Sequence, residues 1–167
     1  MRTFKIKDIA LNIFSGGTPS TTESSYWNGS LNWLSSGETR NQFIIQTEKT
    51  ITDIGAKKSS TRLAHKGNTV IASAGQGFTR GQTSFLRIDT YINQSIIAVR
   101  PNKDVVDPLY LFYNLYSRYD EMRLLSNSSS TRGSITTKMI GDLLIPLPSL
   151  DEQQHIVNNT WRCIYAN

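Results

Sequence analysis

Between Gly75 and Gly81 the chain sets Gln76, Thr79 and Arg80 among three glycines. These are side-chain types used on base edges: Arg offers paired donors that suit guanine, and Gln offers a donor and an acceptor that suit adenine. Glycine would let such a hairpin tip bring its backbone close to phosphate. The same heptapeptide also reads as a plain β-turn joining two strands. A nucleotide-binding loop is excluded, because the spacing is neither Gly-x-Gly-x-x-Gly nor Gly-x-x-x-x-Gly-Lys-Ser/Thr and a strand-like run follows where a helix is required. Other reactive chemistry lacks material. Asp107-Pro108-Leu109-Tyr110 is one proline short of the Asp-Pro-Pro-Tyr turn of amino-methyltransferases, and no Gly-rich cofactor loop accompanies it. His65, His155 and Cys163 are too few for a zinc site or a Cys-His nucleophile pair. Asp151 and Glu152 are accounted for by the preference of a helix N-terminus for negative charge. The chain therefore reads as non-enzymatic, with no cofactor or metal of its own.

Charge supports contact with a polyanion. Residues 51–100 carry Lys57, Lys58, Arg62, Lys66, Arg80, Arg87 and Arg100 against Asp53 and Asp89, which accounts for the whole net charge of +5. A concentrated basic segment gains affinity for a duplex by releasing condensed counterions; the same residues could equally form a solvated basic face. Hydrophobic residues make up 38% and charged residues 19% of the 167, so much of the remainder is Ser, Thr, Asn and Gln, which favours loops and irregular strands over long surface helices. The length suits one ordinary domain. One cysteine excludes an internal disulfide, the start lacks the apolar run of a signal peptide, and no apolar stretch approaches the roughly 20 residues of a membrane helix, so a soluble cytoplasmic protein is expected.

The elements that must carry the tip are short. Thr69–Ala74, Thr83–Ile88 and Tyr91–Arg100 read as strands, with a further short one at Phe43–Ile45 and a last one at Leu143–Ile145. Phe4–Phe14 reads as a strand or short helix running into Gly16-Gly17, and Thr18-Pro19-Ser20 then sets an extended exit, so residues 15–30 form a shaped loop pinned by Trp27 and Trp33. Asp107-Pro108 starts a helix in which Leu109, Phe112, Tyr116, Tyr119 and Met122 recur as a core stripe to about Leu125. A polar loop, Ser126–Gly133, follows, with Arg132 its one strong cation. Thr136–Gly141 predicts a brief helix. Ser149 with Glu152 makes a capping box that opens a last helix, whose apolar face starts at Ile156 and Val157; so short a helix should pack in trans or be the stump of a longer one. The fold class expected is α+β, a mixed or antiparallel β-sheet domain with several short helices, followed by the start of a C-terminal connecting helix. The boundaries are 1–148 and 149–167.

Taken in series, Gly16–Ser20, Tyr26-Trp27, Trp33, Ile54-Gly55 with Ser59-Ser60, Gly67–Ser73, the Gly75–Gly81 tip, Ile92-Asn93-Gln94 and Leu147–Ile156 resemble the target recognition domain of type I restriction-modification specificity subunits. The resemblance runs from Ile6 to Val157. It implies a reader of double-stranded DNA that docks between two adenine-N6 methyltransferase subunits, with S-adenosylmethionine, ATP and Mg confined to those partners and to a restriction subunit. A complete specificity subunit of this kind has two recognition domains and long helical spacers. The single domain here is expected to be a half-subunit, a truncated product or an excised domain, pairing through C-terminal helices with a second copy or another half. Under this reading Lys57, Lys58, Arg62 and Lys138 contact phosphate, while Gln76, Thr79, Arg80, Gln82 and Arg132 read bases. Two rivals remain: the recognition module of another methyltransferase or nuclease system, and a β-rich ligand-binding module without affinity for DNA.

Overall fold

The computed structural model describes residues 1–127 and 133–165. It opens with β1 (Thr3–Lys5), one turn of helix α1 (Ile6–Ile9) and β2 (Ala10–Ser15). Beyond the glycine pair come β3 (Trp27–Leu34), β4 (Phe43–Ile44), β5 (Lys49–Ile51) and the short helix α2 (Asp53–Lys57), with 3-10 turns at Ser24–Tyr26 and Ser36–Arg40. Strands β6 (Arg62–Ala64), β7 (Thr69–Ala72), β8 (Thr83–Leu86), β9 (Thr90–Ile92) and β10 (Ile96–Pro101) precede α3 (Pro108–Tyr116), α4 (Tyr119–Asn127) and α5 (Thr137–Asp142). A final strand, β11 (Leu144–Pro146), leads to α6 (Leu150–Tyr165). The α+β class predicted from sequence is the class observed.

Strand order is β2-β10-β7-β8-β4 in one sheet and β5-β3-β9-β6 in another, while β1 and β11 pair antiparallel. Most neighbours are antiparallel; β3 with β9 and β4 with β8 run parallel. Both β7 and β8 are buried at every position, as strands covered on two faces must be. Period-two alternation then sorts their neighbours. Val70, Ile96 and Ala98 join Phe14, Leu34, Ile44, Leu86 and Ile92 in one cluster, whereas Ile71, Ile97 and Val99 join residues of α1, α3 and α5 in a second. The larger sheet is therefore a middle layer, with the smaller sheet on one face and helices on the other.

Two elements differ from the sequence expectation. The apolar run Tyr91–Arg100 is two strands, β9 in the smaller sheet and β10 in the larger, and the chain changes sheets across Asn93–Ser95. Asn93 is buried there; its Oδ1 accepts the Ser95 amide at 3.0 Å and its backbone oxygen accepts that of Gly16 at 3.3 Å. The single helix expected over 107–125 is also divided. Ser117 caps α3 and turns its hydroxyl onto the Asn114 carbonyl at 2.7 Å, a local bond that competes with helix continuation, and α4 starts anew at Tyr119. The buried face of α3 is Tyr110, Leu111, Phe112 and Leu115, so of the expected stripe Phe112 and Met122 reach the core while Tyr116 stays exposed.

Asp107 caps α3 as predicted, its carboxylate accepting the amides of Leu109 and Tyr110 at 2.9 and 3.1 Å. Burial pushes the Tyr110 hydroxyl up from its ordinary pKa, and that hydroxyl donates to the Pro146 carbonyl at 2.6 Å. Helix α6 packs on α3 of its own chain. Gln153, wholly buried, accepts the Asp107 amide at 2.8 Å and donates to the carbonyls of Val105 and Pro148 at 3.1 and 2.9 Å, so every demand of its amide is met. Val157 is buried beside it, Trp161 lies 6.2 Å from Phe43 ring to ring, and Ile156 remains exposed. Of the capping box, the Ser149 half is formed, its hydroxyl accepting the Glu152 amide at 3.3 Å.

Candidate nucleic-acid interface

The glycine-rich tip is the turn between β7 and β8 and projects from the end of the larger sheet. Its base is closed by ladder-like bonds, Gly81 amide to Ala72 carbonyl at 2.8 Å and Ala72 amide to Gln82 carbonyl at 2.9 Å. Gly77 sits at φ +68° and Gly81 at φ +92°, a region costly for other residues. What fixes the tip is a row of side chains on α4 at every fourth position. The Tyr119 hydroxyl donates to the Phe78 carbonyl at 2.7 Å; Arg123 donates to the carbonyls of Arg80 at 2.7 Å and Gly77 at 2.8 Å; Asn127 accepts from Arg80 at 2.7 Å. Residues i, i+4 and i+8 share one helix face, so a single face of α4 braces the loop. The Arg123 guanidinium also lies 5.3 Å from the centre of the Tyr119 ring.

Sequence reasoning missed this brace and assigned Tyr119 to the core stripe. The signal was the spacing of Tyr119, Arg123 and Asn127, visible only once α4 is separated from α3. The brace also bears on Arg80. Its guanidinium donates to Asn127 and to the Gly133 carbonyl, it is half-buried, and a Cβ on Gly133 would collide with it. Gln76 is exposed near the apex and Thr79 half-buried. Gln82 lies below, half-buried, its Oε1 accepting the Thr39 hydroxyl at 3.2 Å. Arg132 lies outside the described residues.

The phosphate candidates divide into two groups. Lys57 and Lys58 end α2 and Arg62 begins β6, all exposed. Arg62 is opposite Ile92 in the ladder, next to the sheet crossing whose Ser95 carbonyl accepts the Ser73 amide at the root of the tip. The register thus puts Arg62 at the same end of the molecule as the tip. Lys138 stands apart on α5, which packs against α1 and β2. Its ammonium lies 2.6 Å from Asp142, which also meets Lys7 at 3.3 Å; bonds from Lys138 first and Lys7 second hold the Asp142 carboxyl below its ordinary pKa. Within the basic window Arg87 is also engaged, stacked 4.9 Å from Phe43 and 5.2 Å from Phe85.

The remaining sequence blocks frame this end. Gly16 and Gly17 run along Ile92 and Asn93, and the Gly17 amide donates to the Ile92 carbonyl at 3.1 Å. Trp33 donates to the Gly17 carbonyl at 3.2 Å, Trp27 to that of Ser20 at 3.0 Å, and the two indoles meet edge to face at 5.1 Å. Both tryptophans are loop anchors, as predicted. Buried Glu38 ties the following turn, accepting the Ser35 amide and the Glu48 amide, each at 2.8 Å. Among the described residues no three His, Cys, Asp or Glu side chains gather as a metal site, and no helix is long and apolar enough to cross a membrane.

Known proteins share this fold. The specificity subunit of a type I restriction enzyme of Escherichia coli is 29% identical over 147 residues, covering 86% of this chain and 36% of that protein. A chain of a solved type I R-M system superposes with a TM-score of 0.73 at 23% identity, over 97% of this chain and 37% of that one. The HsdS subunit from Thermoanaerobacter tengcongensis gives 0.70 at 21% identity, over 95% and 35%. The chain thus spans little more than a third of the length of these relatives. The type I restriction modification DNA specificity domain matches residues 1–159, and the chain belongs to that family.

Proposed function

We propose that this chain reads one half of a split duplex target and lends that selectivity to an adenine-N6 methyltransferase and a restriction subunit, which bring S-adenosylmethionine, ATP and Mg. The observation that carries this reading is the braced tip, which holds an exposed Gln76 on a hairpin bonded to α4 within a family of DNA specificity domains. Residues 1–148 act as the reader, and 149–167 begin the connector toward the partners. Arg62, at the tip end, meets phosphate together with Lys57, Lys58 and the more distant Lys138, while Gln76, Thr79, Gln82 and Arg132 are the candidates for base readout. Arg80 acts chiefly through the shape of the tip, because its two terminal nitrogens donate to Gly133 and Asn127. A bacterial cytoplasm suits such an assembly.

The test is expression of the chain beside a type I methyltransferase subunit, followed by mapping of methylated adenines across the host genome. The expected result is one defined sequence that appears only when both proteins are present. Co-purification without any methylated motif would refute the reading. The chain alone, incubated with labelled S-adenosylmethionine and DNA, should transfer no methyl group.

A further inference from the structure

We infer that Phe78 is a specificity-determining residue that packs against the 5-methyl group of a thymine in the major groove, beside Gln76 on the partner or a neighbouring adenine. The inference rests on the DNA-reading proposal and adds the class of base pair that the tip selects. An exposed apolar residue is ordinary in itself. Phe78 differs because it is 82% exposed on a loop that is not free to bury it. Its own carbonyl is held by Tyr119 at 2.7 Å, the preceding carbonyl by Arg123 at 2.8 Å, and the carbonyl of Arg80 by Arg123 at 2.7 Å. The brace thus takes hold of backbone and leaves the ring pointing outward from a fixed base.

Gln76, two residues earlier, is the other exposed side chain of the apex that carries recognition chemistry. In the major groove an A·T pair shows a donor and an acceptor on adenine that match the Gln amide, and an apolar methyl group on thymine; no other pair offers both. The two side chains together therefore fit an A·T pair or an adjacent thymine. A ring wedged between base steps is the competing use of an exposed phenylalanine, and it would not depend on the methyl group.

The test uses the methyltransferase complex and its mapped target. Synthetic duplexes carry deoxyuridine in place of each thymine in turn, which removes the methyl group and keeps base pairing. With the wild-type chain, one position should lower kcat/KM about fourfold, the worth of one buried methyl-sized group. Phe78→Ala should methylate the thymine and the uracil duplexes at the same reduced rate, and Phe78→Leu should keep part of the discrimination. The inference is overturned if the mapped half-target holds no thymine, if no uracil position slows the wild type, if Phe78→Ala is as active as the wild type, or if it retains the uracil penalty. A loss in Phe78→Ala without any uracil effect in the wild type would identify a wedge instead. If the wild-type complex methylates no defined sequence, the DNA-reading proposal itself fails, a result distinct from all of these.

Discussion

At Gly16-Gly17 and at Gly75–Gly81 the chain uses glycine for different reasons. A Cβ on Gly16 would lie 2.0 Å from the Ile92 carbonyl oxygen, and one on Gly17 would lie 2.1 Å from the Ser60 hydroxyl, so the first turn is glycine because its surroundings leave no room. At Gly77 the reverse holds: a Cβ would meet nothing within 4 Å, and glycine serves a φ of +68°. One turn is locked by what encloses it. The other is open at its Gly77 apex and is held by one face of α4. The first should fail by unfolding and the second by altered contact with a ligand.

Substitutions can break that contrast. Gly16→Ala should destabilise the chain by about 3 kcal/mol, the cost of forcing a methyl group into close-packed backbone, measured by urea denaturation; a change within experimental error would mean that the first turn is as loosely enclosed as the second. Arg123→Ala removes two bonds from a charged donor and should cost about 2 kcal/mol, together with faster amide exchange in the tip. If exchange speeds up across the whole larger sheet, the brace supports the core and not the loop. Gly77→Ala places a side chain at positive φ and should cost about 1 kcal/mol, well short of Gly16→Ala. Least in stability, the double change Lys57→Ala with Lys58→Ala should stay within about 0.5 kcal/mol yet lower the salt slope of DNA binding by about 0.9 for each phosphate that is no longer neutralised. An unchanged slope would remove both lysines from the interface.

Much of this arrangement was legible in the sequence where the deciding physics is local. The tip, β7 and β8, the Asp107 cap and the two tryptophan anchors all follow from turn chemistry, apolar runs and capping side chains. The path of Tyr91–Arg100 was not legible, because an apolar run looks the same whether it stays in one sheet or crosses to another at Asn93, and the crossing depends on partners as distant in sequence as Gly16. The division at Ser117 was hidden for a similar reason: the apolar spacing continues past it, and only the hydroxyl bond to Asn114 shows where α3 ends. The brace stayed out of view because three of its four acceptors are main-chain oxygens, which leave no mark on the pattern of residue types. Arg80 illustrates the limit in reverse. Its type suggested a base contact, while Gly133 and Asn127 take its two terminal nitrogens.

Because Tyr119 and Arg123 grip carbonyl oxygens, their hold is indifferent to which side chains stand at positions 76 and 78. Every amino acid brings the same oxygen. Under the proposed reading, descendants of this chain could exchange those two residues for others while keeping the backbone bonds that hold the hairpin.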